Sequence, residues 1–286
     1  MDYFYCLCIL ALVSSAATRH RRNLKRGDVF ENGGKNNHVQ EKGILHYLWI
    51  LVLVCAVSSR HGHRKARDDE EKLENLPKDC SEIPRYKDSG VYIIHPKGVH
   101  PLVVYCDMTT ESGGWIVIQR NSFNSEITWD ESWSTYKYGF GNVEKDYWLG
   151  LEYLHHITKQ KVYQVRFVIT DNNNEEKYAD YNLFSVEDEA NGYRIRLGSY
   201  RGTAGDAMSS IQAGTTHDNM KFTSKDKDQD IYVANCASSY GGAWWYAACF
   251  ASKLNNKNGI YWQGLCNGNC QGSTIMIRPA DYCIYL

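Results

Sequence analysis

The chain has 286 residues, with 32 Lys and Arg against 33 Asp and Glu and a formal net charge of −1. Near-neutrality removes any global electrostatic case for nucleic acid or an acidic partner, and the length suits one large or two small domains. Ten Cys, eight Trp and 21 Tyr suit an extracellular, disulfide-bonded binding domain better than a cytosolic enzyme.

Tyr3 to Val13 is a short apolar stretch ending in Ser14-Ser-Ala-Ala17, small residues of the kind a signal peptidase requires, so 1–17 reads as a signal peptide without the basic leading region. Residues 18–77 read as a pro or linker region. Within it, 44–57 is a second apolar run ending in Val57-Ser-Ser59, with the length of a signal core and short of the roughly 18 residues a membrane span needs. Three readings stand: a signal-anchor, an uncleaved pro-region, or a true start further in, against which no Met lies between Met1 and Met108. The bulk of the chain is expected outside the cell, secreted, with a single-pass signal-anchored form as the alternative. Residues 58–79 are charged and poor in apolar groups, a solvated linker.

From Cys80 the sequence changes character. Gly90–Ile94, Leu102–Cys106 and Gly114–Gln119 are β-branched and aromatic runs flanked by Gly or Pro and predict strands. Tyr147–His156 has near-helical apolar spacing and predicts a short helix; Lys161–Ile169 and Tyr193–Leu197 alternate as half-buried strands. Strands and short helices without a βαβ rhythm predict an α+β fold. After about residue 200 periodicity fades, and a long irregular region of this kind needs disulfides or a metal to be ordered.

Asp226, Asp228 and Asp230 alternate just before Cys236 and the run Tyr240-Gly-Gly-Ala-Trp-Trp-Tyr-Ala-Ala-Cys249. Carboxylates at this spacing converge on Ca2+ if the backbone turns and main-chain carbonyls complete the shell. An EF-hand fails, because Ile231 stands where its turn needs Gly and Ala237 where a Glu should chelate. Other chemistry fails on context. Gly268-Asn-Cys-Gln-Gly272 lacks the strand and helix of a nucleophile elbow. The adjacent His155 and His156 point about 100 degrees apart on a helix and cannot share one ion, and the Cys266-x3-Cys270 spacing is weak evidence for zinc because secreted cysteines are more often bridged. No catalytic constellation remains, and the chain reads as a non-enzyme.

Cys80-Ser-Glu-Ile, Gly90-Val-Tyr, Val104-Tyr-Cys-Asp-Met108, Gly113-Gly-Trp-Ile-Val-Ile-Gln-Arg120, Tyr138-Gly-Phe-Gly-Asn142, Tyr147-Trp-Leu-Gly150, Tyr200-Arg-Gly-Thr-Ala-Gly-Asp206 and Asp228-Gln-Asp-Ile-Tyr-Val-Ala-Asn-Cys-Ala237 occur in the order seen in fibrinogen C-terminal (fibrinogen-related) domains. Over 78–286 the chain resembles that family, whose lectin-like members include ficolins and tachylectins and whose other branches include the angiopoietins. The resemblance implies a small disulfide-bridged N-terminal subdomain, a central mixed twisted sheet with short helices, and a loop-rich calcium-binding C-terminal subdomain. It implies bridges Cys80–Cys106 and Cys236–Cys249, and calcium held by the carboxylates of Asp228 and Asp230 with the carbonyls of Tyr232 and Ala234, leaving Asp226 peripheral.

In acetyl-sugar binders of the family, aromatics and a cis peptide before the second loop cysteine form the ligand pocket, which places Tyr240, Ala248, Cys249 and Phe250 in that role here. Phe250 stands where those members carry His; it walls an apolar pocket and donates no hydrogen bond. Seven cysteines follow Cys55, an odd number. Cys270–Cys283 or Cys266–Cys283 would tie down the tail, and the remaining thiol is a route to a covalent homo-oligomer. The expected function is a secreted calcium-binding recognition module for acetylated or other extracellular glycans in innate defence. The alternative is an adhesion or receptor-ligand protein that meets a cell-surface or matrix protein through the same loops.

Overall fold

The computed structural model describes residues 71–209, 214–257 and 259–280. The signal-like 1–17, the apolar run 44–57 and Cys283 lie outside them. In chain order the elements are β1 (Gly90–Ile94), β2 (Leu102–Asp107), β3 (Trp115–Ser122), α1 (Trp133–Tyr138), β4 (Phe140–Gly141), β5 (Tyr147–Trp148), α2 (Leu151–Thr158), β6 (Tyr163–Thr170), β7 (Glu176–Val186), β8 (Ile195–Leu197), β9 (Tyr200–Gly202), α3 (Cys236–Tyr240), β10 (Ser252–Lys253), β11 (Tyr261–Trp262), β12 (Cys266–Asn267) and β13 (Gly272–Pro279).

The large sheet runs β1-β2-β3-β13-β6-β7-β8, with β5 extending β3, β4 beside it, and β9 on the far end of β7. The mixed sheet expected from the resemblance is antiparallel in each of its named pairs. The reason is β13: the chain returns from its C-terminal loops and inserts between β3 and β6, antiparallel to both, with Ile275 opposite Gln119 on one side and Phe167 on the other. A register shift between Ile275 and Met276 leaves Ile118 out of the ladder. Its carbonyl accepts instead from the Leu149 N–H at 2.9 Å, so the bulge carries the chain from β5 toward α2.

The helix expected over Tyr147–His156 begins later, at Leu151. Tyr147 and Trp148 pair with Arg120 and Gln119 as a strand, and Gly150 at φ +116° breaks the chain between the two. Leu151, Leu154 and Ile157 then face the core at three-residue spacing. Short α1 and the eleven-residue β7 carry no strong period and escape the sequence reading.

Six tryptophans, Trp115, Trp129, Trp148, Trp244, Trp245 and Trp262, are fully buried. Phe222 joins several elements: its ring lies 5.3 Å from Tyr136 of α1, 6.0 Å from Trp148 of β5 and 5.1 Å from Trp245. Aromatic burial of this kind dominates core energetics, and here it fastens the long C-terminal loops to the sheet. A polar seam does the same from β3 and β13. Gln119 Nε2 donates to the Leu254 carbonyl (3.3 Å), Asn255 Oδ1 (3.2 Å) and Ser273 Oγ (3.1 Å). Asn121 Nδ2 donates to the carbonyls of Leu254 (2.7 Å) and Asn256 (2.9 Å).

Candidate functional site

The acidic run folds as consecutive side-chain-to-backbone turns, which short polar side chains favour. Asp228 Oδ1 accepts from the Asp230 N–H at 3.3 Å; Asp230 Oδ1 accepts from Tyr232 N–H at 3.0 Å, and its Oδ2 from Cys236 N–H at 2.9 Å. Burial and the neighbouring charge of Asp228 raise the Asp230 carboxyl above its usual range, although the N–H groups of Cys236 and Tyr232 oppose that rise. Two hard carboxylates held together against their mutual repulsion are the donor chemistry a calcium ion takes. No three His, Cys, Asp or Glu side chains converge among the described residues, so a cation here relies on main-chain oxygens for the rest of its shell.

Asp226 turns the other way. Its Oδ1 accepts from the Trp133 N–H (2.7 Å), at the first residue of α1, and from Ser224 Oγ (2.8 Å). Lys225 reaches the Asp130 carbonyl at 2.6 Å, and the Lys227 ammonium lies 3.7 Å above the Trp133 ring. The three residues nearest Asp228 on its N-terminal side thus dock the loop onto the start of α1 and the segment just before it. We expect Asp226→Ala to cost about 1 kcal/mol in urea unfolding, as for other lost caps, with calcium affinity unchanged; a shift in calcium affinity would return Asp226 to the ligand set.

The loop between Cys236 and Cys249, which are bridged, is held by its aromatics. Trp244 exchanges backbone hydrogen bonds with Thr223 at 2.9 and 3.1 Å, and Trp245 Nε1 donates to the Tyr193 carbonyl at 2.8 Å. Gly242, at φ +86°, is required because a Cβ there would stand 1.7 Å from the Asn255 carbonyl oxygen. Beneath the loop lies His217, fully buried. Its Nε2 takes the N–H groups of Ala251 (3.1 Å) and Ser252 (2.9 Å), and its Nδ1 meets the Trp245 carbonyl at 2.7 Å. Two donors on one nitrogen and a carbonyl on the other assign a neutral ring protonated at Nδ1. Burial pushes its pKa down to about 4, with the Trp245 carbonyl opposing.

Tyr240 and Phe250 meet edge to face at 5.0 Å, and Phe250 meets Tyr261 in the same way at 5.2 Å, with Tyr246 behind at 6.1 Å. Tyr240 is half exposed. The acidic loop and this aromatic cluster are joined through Asp230, the Cys236 N–H, the Cys236–Cys249 bridge and Phe250. Ala248 is half-buried and donates its N–H to the Gly214 carbonyl at 2.7 Å. Ala234 and Tyr232 lie exposed on the acidic loop.

Two expectations are corrected. No cis peptide occurs among the described residues, so the bond between Ala248 and Cys249 is trans. The reversal there is made by Cys249 itself at φ +79°, with the Ala247 N–H donating to the Cys249 carbonyl at 3.0 Å; for a non-proline bond the cis form is the costlier way to turn. Nor does Cys283 bridge Cys266 or Cys270. Those two bridge each other across four residues, at a Cα separation of 5.1 Å, because β11 and β12 pair Trp262 with Cys266 and the short turn that follows returns Cys270 to it. Cys80 and Cys106 are also bridged, so each of the six described cysteines is paired.

Three contributors escaped sequence reading: His217, Lys253 and the Asn255–Asn256 pair. Asn256 Nδ2 donates to the carbonyls of Tyr240 (2.8 Å) and Gly241, and Asn255 Nδ2 to that of Ala243 (3.2 Å). The one signal was a charge inside Ala251-Ser-Lys-Leu254, where apolar neighbours imply burial.

The family described as fibrinogen beta and gamma chains, C-terminal globular domain, matches residues 76–278. Fibrinogen-like protein 1-like protein of Gallus gallus is 53% identical over 67% of this chain and 68% of its own length. Techylectin-5A of Tachypleus tridentatus is 40% identical over 68% of this chain and 66% of its own length. Tenascin-R of Homo sapiens is 46% identical over 64% of this chain, a stretch spanning only 13% of Tenascin-R. None of the three is named as an enzyme. With a family match over most of its length, and a 53% identical relative beside it, this chain belongs to the fibrinogen C-terminal globular domain family.

Proposed function

We propose that this domain is an extracellular, calcium-ordered recognition module with an aromatic cleft, bordered by Tyr240 and Phe250, that binds acetylated or other surface glycans in innate defence. The observation that carries the reading is the placement of Asp230, whose carboxylate holds the N–H of Cys236 at 2.9 Å while its neighbour across the bridge, Phe250, walls the cleft. Asp228 and Asp230, with the carbonyls of Tyr232 and Ala234, would hold the ion. Bound there, calcium supplies positive charge between two carboxylates. The residues themselves transmit loop order to the cleft through the disulfide. Three bridges support an oxidising compartment, and no described helix is long and apolar enough to cross a membrane. A relative named as a lectin, Techylectin-5A, favours a sugar ligand.

The test is a glycan array read with calcium and with chelator. Calcium-dependent binding to acetylated sugars is expected, and silence on every glycan would overturn the reading. The metal is tested separately by melting. At a free calcium ten times its dissociation constant the domain should gain roughly 1.4 kcal/mol, a rise of about 4 °C, and Asp228→Ala with Asp230→Ala should remove the gain. Equal midpoints in calcium and chelator would remove the ion from the proposal.

A second reading has its own support. Ile231, Tyr232 and Val233 are 64, 50 and 93% exposed, three consecutive apolar side chains beside the acidic loop. Contiguous exposed apolar surface favours a protein partner, and capture of a cell-surface or matrix protein in place of glycans would establish that alternative.

A further inference from the structure

Lys253 lies on β10 and is only 8% exposed. A buried ammonium ordinarily has a carboxylate beside it, because desolvating an unpaired charge is costly. Burial alone lowers the pKa of Lys253, with no carboxylate among the described residues reaching its charge. Among the described residues one acceptor meets it, the Tyr240 carbonyl at 3.4 Å, against the three N–H donors an ammonium carries. The ammonium lies 5.0 Å from the centre of the Phe250 ring and 5.6 Å from that of Tyr240. Gly259 passes beside the ammonium, where a Cβ would stand 3.8 Å from Nζ and 2.6 Å from the Asn256 side-chain oxygen. The basic residues of the acidic loop are committed elsewhere, Lys225 to Asp130 and Lys227 to Trp133.

We propose that Lys253 makes the aromatic cleft a subsite for a single anionic group, carboxylate or sulfate, carried by a glycan. The proposal rests on the recognition reading above and names its ligand class. A desolvated ammonium favours an anion strongly over water. The rings of Tyr240, Phe250 and Tyr261 offer flat apolar faces to the C–H face of a sugar. One ammonium, with no second basic group acting on it among the described residues, matches one charge per sugar better than the dense charge of an acidic peptide. Phe250 contributes no donor and the Tyr240 and Tyr261 hydroxyls carry no charge, so Lys253 is the group through which the site selects an anion.

The experiment measures binding of the calcium-loaded protein to hyaluronan hexasaccharide, which carries carboxylates, to sulfated chondroitin hexasaccharide, and to neutral chitin hexasaccharide, with hexaglutamate as competitor. The acidic sugars should bind about tenfold more tightly than chitin; sulfated chondroitin carries the same carboxylates plus sulfate, so equal affinity for the first two assigns the carboxylate and tighter binding of the second assigns the sulfate. Lys253→Met should bring the ratio of acidic to chitin affinity down to about one, and Lys253→Arg should keep the preference. An acidic preference that survives Lys253→Met, or competition by hexaglutamate as strong as by hyaluronan, would overturn the proposal. So would a Lys253→Met variant that melts earlier and loses chitin as well, since Lys253 would then act only by holding the Tyr240 carbonyl. Calcium-dependent chitin binding without acidic preference leaves the recognition reading standing and removes the subsite; silence on all three glycans removes both.

Discussion

Acidification from pH 6.5 to 4 is expected to destabilise this domain by about 3 kcal/mol through His217 alone. The sign follows from linkage. His217 is neutral in the fold, with a pKa pushed down to about 4, whereas the unfolded chain binds a proton near the ordinary value of about 6.5. Between those values the unfolded state carries more protons, so stability falls as pH falls and flattens once the folded ring is also protonated. The protonated ring would oppose an N–H to those of Ala251 and Ser252, releasing the segment that joins Phe250 to Lys253. Glycan binding should therefore weaken in the same window. His217→Gln is less stable at neutral pH but lacks the titration, so its deficit against the parent should shrink by about 3 kcal/mol between pH 6.5 and 4. Asp79 and Glu111 titrate in both proteins. Burial opposes the lowering of their pKa values, but hydrogen bonds from Ser81, Tyr163 and Lys161 to Asp79, and from Arg166 to Glu111, prevail. Their stabilisation is present above the unfolded carboxylate range and is lost only as pH falls below about 4. A constant deficit measured by urea unfolding across this range would refute the role given to His217.

Removal of the Cys236–Cys249 bridge is the other large effect. With a sequence separation of 13, its loss in Cys236→Ala with Cys249→Ala should cost roughly 3 kcal/mol through the freed unfolded chain. The bridge Cys266–Cys270 spans four residues and should be worth about 2 kcal/mol on the same basis. Function should separate them further. The larger bridge links the Asp230-held N–H of Cys236 to Phe250, so its loss should also uncouple glycan binding from calcium. The smaller one closes a turn beside β12 and should leave that coupling intact. Equal losses of calcium-dependent binding in the two double variants would contradict this transmission route.

Much of the fold was legible because local patterns and burial agreed. Gly90–Ile94 and Leu102–Asp107 are strands in the structure, and their β-branched runs alone mark them as such. The family was legible from motif order, as the match over 76–278 bears out. The strand β13 was not, since Gly272-Ser-Thr precedes Ile275-Met-Ile and gives neither clean alternation nor a continuous apolar run. Its pairing partners lie more than a hundred residues away, at Gln119 and Phe167, and no local pattern reports so distant a neighbour.

Residue types read along the chain carry chemical inventory and order: α+β character, acidic residues beside a cysteine-bounded aromatic run, and a collinear set of family motifs. Those follow from residue type and short-range spacing. The tertiary structure alone decided which groups meet. It turned Asp226 toward Trp133, joined Cys266 to Cys270, placed a neutral histidine beneath the loop and set a lysine without a carboxylate between Tyr240 and Phe250. The physical reason is that burial and pairing are properties of an environment assembled from distant segments. A lysine reads as solvated in sequence and becomes a desolvated charge only when β10, the Tyr240 carbonyl and the cleft rings close around it.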